Sequence, residues 1–225
     1  TDLVVLCVPV GAMAAVAAEM AADLPAEAVV SDVGSCKESV LDALTAALPD
    51  AIVIPAHPVA GTEKSGPEAG FATLFKGRWC ILTPPENAPA LALQQLTTFW
   101  ERMGAKVELM DAAHHDRVLA VTSHLPHLIA YTIVGTASDL EEVTQSEVIQ
   151  YSAGGFRDFT RIAASDPVMW RDVFLSNKGA VLEMLQRFSE DLTALQRAIR
   201  YDKGDELEAL FTRTRDIRRS IIEQG

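Results

Sequence analysis

The chain has 225 residues, 49% of them hydrophobic and 22% charged, which is enough apolar side chain for an ordinary buried core and too little polarity for wholesale disorder. With 19 basic against 31 acidic side chains the formal charge is -12, and a field of that sign repels nucleic-acid phosphate and anionic membrane surfaces. Any anionic ligand therefore needs a local cationic site.

Asp2 to Pro9, DLVVLCVP, is a continuous apolar run closed by a turn, which predicts a strand buried on both faces of a parallel sheet. The uncharged stretch starting at Leu3 is shorter than the ~20 residues of a membrane span, is broken by Pro9 and Gly11, and lacks the basic flank of a signal peptide, so no membrane partner is expected. The chain opens at Thr1 directly in this strand pattern, without a methionine, and an earlier part of the sheet domain is expected ahead of it. An alanine-rich helix follows to about Leu24, then AVVSDVGS as strand and loop, KESVLDALTAAL as helix, AIVIPAHP as a third strand and RWCILTPP as a fourth. Strands alternating with helices mean an α/β sheet, whose loops after strand ends, at Pro9, Gly34 and His57, are where such sheets bind ligands.

After Gly104 only AKVELM reads as a strand, and from Asp111 the apolar residues take helical spacing. Asp166-Pro167 supplies a cap with proline at the first helical position. Val181, Leu185, Phe188, Leu192, Leu195 and Ile199 form a heptad seam, and Leu207, Leu210, Phe211, Thr214, Ile217 and Ile221 continue helical spacing past Gly204. Such a seam packs within the chain or joins two copies of it. The expected organisation is an α/β domain over residues 1–110 and an all-helical domain over 111–225.

Cys7, Cys36 and Cys80 lie far apart beside apolar runs, with no CxxC pair, and read as reduced thiols in a cytoplasmic protein. All five histidines fall between His57 and His127. His114 and His115 open a helix beside Asp111 and Asp116 and are expected to be solvated. His124 and His127 stand three apart on one helical face around Pro126, and a zinc pair there lacks a third ligand at a recognisable spacing, so no metal is expected. A core histidine satisfied beside proline is the alternative to a functional one. Arg157, Arg161 and Arg171 stand out in an acidic chain, and Arg161 has Phe156, Phe159 and Trp170 nearby in sequence. An arginine held by aromatics is a preorganised fork for a carboxylate, with surface pairing as the other fate. There is no GxSxG, HExxH or P-loop, and no GxGxxG among the 13 glycines. The residues by themselves reach an α/β ligand-binding domain joined to a helical domain.

Four segments in order, DVGSCKESV, HPVAGTEKSGPEAG, TSHLPHLIAY and GGFRDFTRIAASDPVMWRDVF, resemble the prephenate/arogenate dehydrogenase family of tyrosine biosynthesis, in its bacterial cyclohexadienyl dehydrogenase variety. The resemblance implies part of a Rossmann-type parallel sheet followed by an all-helical dimerisation domain, NAD or NADP as cofactor, prephenate or arogenate as substrate, and a cytoplasmic homodimer. It also implies a glycine-rich loop, its helix and the next strand, roughly 60 residues, ahead of this sequence. On the cofactor side it places Val8, Pro9, Val10, Gly34 and Ser35. His57 matches the family's catalytic histidine and Ser35 the hydroxyl that orients it or the substrate. Thr62, Glu63 and Lys64 match the site-lining run, His127 a substrate-side histidine, Arg161 the arginine that receives a substrate carboxylate, and Trp170 the wall of the pocket. Cys36 stands where a small aliphatic residue is more usual. Two other readings are a β-hydroxyacid dehydrogenase, for which Lys178 is the candidate catalytic lysine, and a non-catalytic dimeric ligand-binding fragment.

Overall fold

The computed structural model of the protein describes residues 3–61, 66–139 and 154–224. By their contacts they form two compact units, Thr1–Val181 and Leu182–Gly225.

In the first unit β1 (Leu3–Leu6), β2 (Val29–Asp32) and β3 (Ile52–Val53) form a parallel sheet in that order, with α1 (Met13–Met20) and α2 (Glu38–Ala47) as crossovers. β2 is buried along its whole length, as a central strand of such a sheet must be. Val40 and Leu44 stand four apart on α2 and meet Met13 and Ala17 of α1 over Leu6, Val30 and Val53. Each of the larger aliphatic side chains contributes roughly 1.5 to 3 kcal/mol by leaving water.

AIVIPAHP, expected as one strand, is two. Ile52–Val53 stays with β2, whereas β4 (Ala56–Pro58) pairs antiparallel with β5 (Trp79–Leu82), itself parallel to β6 (Lys106–Leu109). The switch falls at Pro55, which has no N–H to extend the first ladder and whose carbonyl accepts from the Thr83 amide at 2.9 Å. The expected parallel sheet is thus one parallel and one mixed sheet of three strands each. Behind the second, Leu96 and Trp100 of α3 (Ala90–Arg102) pack on Ile54, Ala56, Cys80 and Leu82.

From Asp111 the chain is helical. Asp111 caps α4 (Ala112–Leu119) by accepting from the His114 amide at 2.9 Å. A π-helical turn, Ala120–His124, leads into α5 (Leu125–Asp139). Pro126 lacks the N–H that a regular helix would aim at the Thr122 carbonyl, which gives the ladder a reason to widen there. The combined helix Ala112–Asp139 contains an 18-residue stretch with a mean hydropathy of 1.4 and is long and apolar enough, by length and composition, to cross a membrane. In this fold it carries the buried polar side chains of His115, Asp116 and His124. α6 (Gly154–Thr160) and a 3-10 turn at Arg161–Ala164 precede α7 (Pro167–Ser176). As the sequence predicts, Asp166 caps α7, accepting from the Met169 amide at 2.7 Å, with proline at its first position. Trp170 and Val173 of α7 close on Cys36 and bring the helices against the end of β2.

α8 (Lys178–Arg200) runs into the second unit, where α9 (Gly204–Gln224) follows after a tight turn with Asp202 at φ 54°. Phe188, Leu195 and Ala198 line one groove with Leu207 and Leu210 of α9. Several other members of the seam stay open: Leu192, Ile199, Phe211, Ile217 and Ile221 are 48%, 64%, 55%, 52% and 58% exposed. An apolar stripe of this length in water is the mark of an interaction surface.

Candidate active site

Within the first unit lies a cleft of about 370 Å³, in the size range of small-ligand sites. One wall is the sheet side, with Ser35, His57 and Arg78, and the other is helical, with Ser123, His127, Arg161 and Trp170.

The sheet wall is fixed by a fully buried ion pair. The Asp32 carboxylate, at the end of β2, accepts from Lys37 Nζ, from the Gly34 amide at 2.7 Å and from the Ala56 amide at 3.1 Å. Lys37 Nζ also donates to the Ala56 carbonyl at 2.6 Å. One pair of charges thereby holds both the loop that ends in Ser35 and the residue before His57. A Cβ on Gly34 would lie 2.9 Å from both Asp32 Oδ2 and Met13 Cε and 3.1 Å from Val10 Cγ2, so a larger residue there would have to displace the paired Asp32 carboxylate. That close approach seats the β1 loop, with Val8 and Val10 half-buried, directly against Gly34.

His57 is buried, and its Nδ1 lies 2.9 Å from His115 Nε2. His115 Nδ1 lies 2.8 Å from Asp116 Oδ1, and the Asp116 carboxylate accepts from the amides of Lys37 at 2.8 Å and Glu38 at 3.1 Å, at the positive end of α2. Burial holds His57 well below the usual histidine range, and the Lys37 ammonium, His115 and His124 push the same way, so the ring is neutral at pH 7. The expectation that His115 is solvated is wrong, because Ala112, His115, Asp116 and Leu119 form the buried stripe of α4. His114, on the opposite side, is exposed as expected.

On the helical wall His127 stacks on Trp170, with ring centroids 3.6 Å apart and planes 24° from parallel. Its Nδ1 meets the Ser123 carbonyl at 2.9 Å. A carbonyl only accepts, so Nδ1 carries the proton and Nε2 keeps its lone pair. Burial lowers His127, partly opposed by that hydrogen bond. His124, a turn earlier, is wholly buried, is pushed down to about 4 by burial and faces the Asn177 amide at 3.1 Å. The two readings left open for this histidine pair thus divide between them, His124 lying in the core and His127 on the cleft.

Of the residues singled out from sequence, Ser35, His57, His127, Arg161 and Trp170 share this one cleft. Val8, Pro9, Val10 and Gly34 sit beside it at the ends of β1 and β2, off its lining. Thr62, Glu63 and Lys64 lie outside the described residues. Arg171 is a surface residue paired with Asp172 at 2.7 Å, and Lys178 is exposed and off the cleft. Sequence reasoning missed Arg78, which stands alone before β5 with no pattern around it. It also missed His115 and Asp116, although their three- and four-residue offsets from Ala112 and Leu119 were a usable signal.

Residues 1–109 match the sequence profile of the prephenate dehydrogenase nucleotide-binding domain, and residues 111–213 that of the prephenate dehydrogenase dimerization domain. The chain is 47% identical over 220 residues to a cyclohexadienyl dehydrogenase of Zymomonas mobilis, across 98% of this chain and 75% of that one. It is similar to the crystal structure of prephenate dehydrogenase from A. aeolicus in complex with hydroxyphenyl propionate and NAD+, at 37% identity and a TM-score of 0.90, over 98% of this chain and 76% of the other. Arogenate dehydrogenase from Synechocystis is similar at 26% identity and a TM-score of 0.81, over 97% of this chain and 78% of that one.

Proposed function

The chain belongs to the prephenate dehydrogenase family of oxidoreductases, and we propose that it serves NAD(P)-dependent oxidative decarboxylation of prephenate or arogenate in tyrosine biosynthesis, with His57 as the proton acceptor. The observation that carries this assignment is a buried, neutral histidine facing a guanidinium across one cleft.

The substrate ring bears a hydroxyl at C4 and a carboxylate at C1. Hydride leaves C4 as the hydroxyl loses its proton, and loss of CO2 from C1 makes the ring aromatic. NAD or NADP, when bound, accepts the hydride. The chain's own tasks are then a base and an alignment of donor and acceptor carbons to within ~3 to ~3.5 Å. His57, kept neutral by its surroundings, takes the hydroxyl proton, and a positioned base of this kind contributes ~10²- to ~10⁴-fold. Ser35 orients that histidine or the hydroxyl. Arg161 receives a substrate carboxylate as a bidentate fork, which fixes direction as well as place. His127 offers its Nε2 lone pair from the substrate side, Trp170 forms the wall behind it, and Thr62, Glu63 and Lys64 complete the lining. Val10, close against Gly34, makes with half-buried Val8 and exposed Pro9 an apolar shelf suited to a nicotinamide ring.

We assign residues 1–110 to the dinucleotide-binding domain and 111–225 to the helical substrate and dimerisation domain. The protein works as a cytoplasmic homodimer whose contact includes the open stripe of Leu192, Ile199, Phe211, Ile217 and Ile221. The test is a two-by-two assay of prephenate and arogenate with NAD and NADP. At least one combination is expected to release CO2 and form reduced cofactor. Turnover of small 3-hydroxy acids with none of either cyclohexadiene overturns the assignment in favour of a β-hydroxyacid dehydrogenase, and no turnover at all favours a binding role.

A further inference from the structure

We propose that His115 is a positioning residue: with Asp116 behind it, it decides which nitrogen of His57 carries the proton and keeps the Nε2 lone pair of His57 free for the reacting hydroxyl. This rests on the proposed role of His57 as proton acceptor. The direction of each hydrogen bond follows from the anion outward. The Asp116 carboxylate, already accepting from the Lys37 and Glu38 amides at 2.8 and 3.1 Å, can only accept, so the 2.8 Å contact from His115 Nδ1 is an N–H of His115. A neutral imidazole has one N–H, which leaves Nε2 of His115 as a lone pair. That lone pair accepts across 2.9 Å from His57 Nδ1, so Nδ1 of His57 holds its proton and Nε2 is the basic nitrogen.

The same chain of groups answers the charge that the reaction creates. Burial and the nearby Lys37 ammonium oppose a cation on His57. As the hydroxyl proton binds at His57 Nε2, the Nδ1 proton can shift to His115 Nε2. One proton has left the substrate oxygen, the two rings together have gained one, and the positive charge stands on the ring that is bonded to Asp116. An aspartate that holds a histidine tautomer and stabilises its imidazolium is the arrangement of serine hydrolases, here with a second imidazole inserted between anion and base. His115, Asp116 and His57 are all buried, so water does not compete for these bonds.

The test is nitrogen-15 NMR of the histidine-labelled intact protein combined with kinetics. The His57 signals are identified by their loss in His57→Asn, and in the unsubstituted protein they are expected to show Nδ1 protonated and Nε2 bare. In His115→Phe that preference is expected to be lost, with kcat down by about 100-fold or more and KM moved less than about threefold. His115→Gln, whose amide oxygen can accept from Nδ1, is expected to recover about tenfold of the loss. A His57 protonated at Nε2 in the unsubstituted protein overturns the proposal, and that measurement decides even where His115→Phe does not fold. Full kcat in His115→Phe beside an inactive His57→Asn overturns it too. Normal turnover by His57→Asn instead removes His57 as the base, whichever tautomer is seen.

Discussion

The two walls of the cleft are held in different ways. On the sheet side the two carboxylates behind His57 are buried and tied several times over: Asp32 to Lys37, Gly34 and Ala56, and Asp116 to Lys37, Glu38 and His115. On the helical side His127, Arg161 and Trp170 come from three separate stretches, with a stacked ring and a single carbonyl bond fixing the histidine. The difference matches two tasks. A base needs a desolvated ring with one fixed tautomer, whereas groups that greet a charged substrate must reach solvent until it arrives.

Breaking the sheet wall is expected to cost most. Lys37→Met leaves the Asp32 carboxylate buried and unpaired, and denaturant unfolding should show a loss of about 3 to 5 kcal/mol. A loss below about 1 kcal/mol would mean that the ion pair does not tie this wall. The helical wall should respond in binding instead: Arg161→Ala is expected to raise KM by about 10- to 100-fold with little change in kcat, and an unchanged KM removes its carboxylate role.

Acid should act through the neutral histidines. His124, taken by burial from 6.5 to about 4, and His57 and His127, also lowered, bind protons in the unfolded chain before they do so in the fold. Stability is therefore level above pH about 6.5 and falls as the pH drops toward about 4, a slope that His124→Gln should flatten. A melting temperature that rises on acidification contradicts this. The smallest effect lies outside the cleft. Ile217→Ser, on the open stripe of α9, should weaken self-association by about tenfold in sedimentation, and unchanged association would move the dimer contact elsewhere.

Much of the scaffold was legible in the residues. The buried runs at β1 and β2, the α2 stripe and the Asp166-Pro167 cap carry their geometry locally, so pattern reading found them. The split of AIVIPAHP was not legible, because an apolar run does not say which of two sheets its halves will join. The change of periodicity at Asp111 marks the start of the helices, while the first packing unit runs on to Val181 since Trp170 and Val173 close on Cys36. His115 misled because its sequence neighbours are charged. The bonds that make its burial tolerable reach back to the amides of Lys37 and Glu38, far away in sequence. Arg78 gave no signal at all, since a lone arginine before a strand looks like any surface residue.

The central claim is that His57 takes the substrate proton, and the most direct measurement is turnover of prephenate or arogenate by His57→Asn. A kcat reduced by about 10²- to 10⁴-fold with KM nearly unchanged is the expected result. A variant that turns over at the normal rate would contradict it and move the base elsewhere in the cleft.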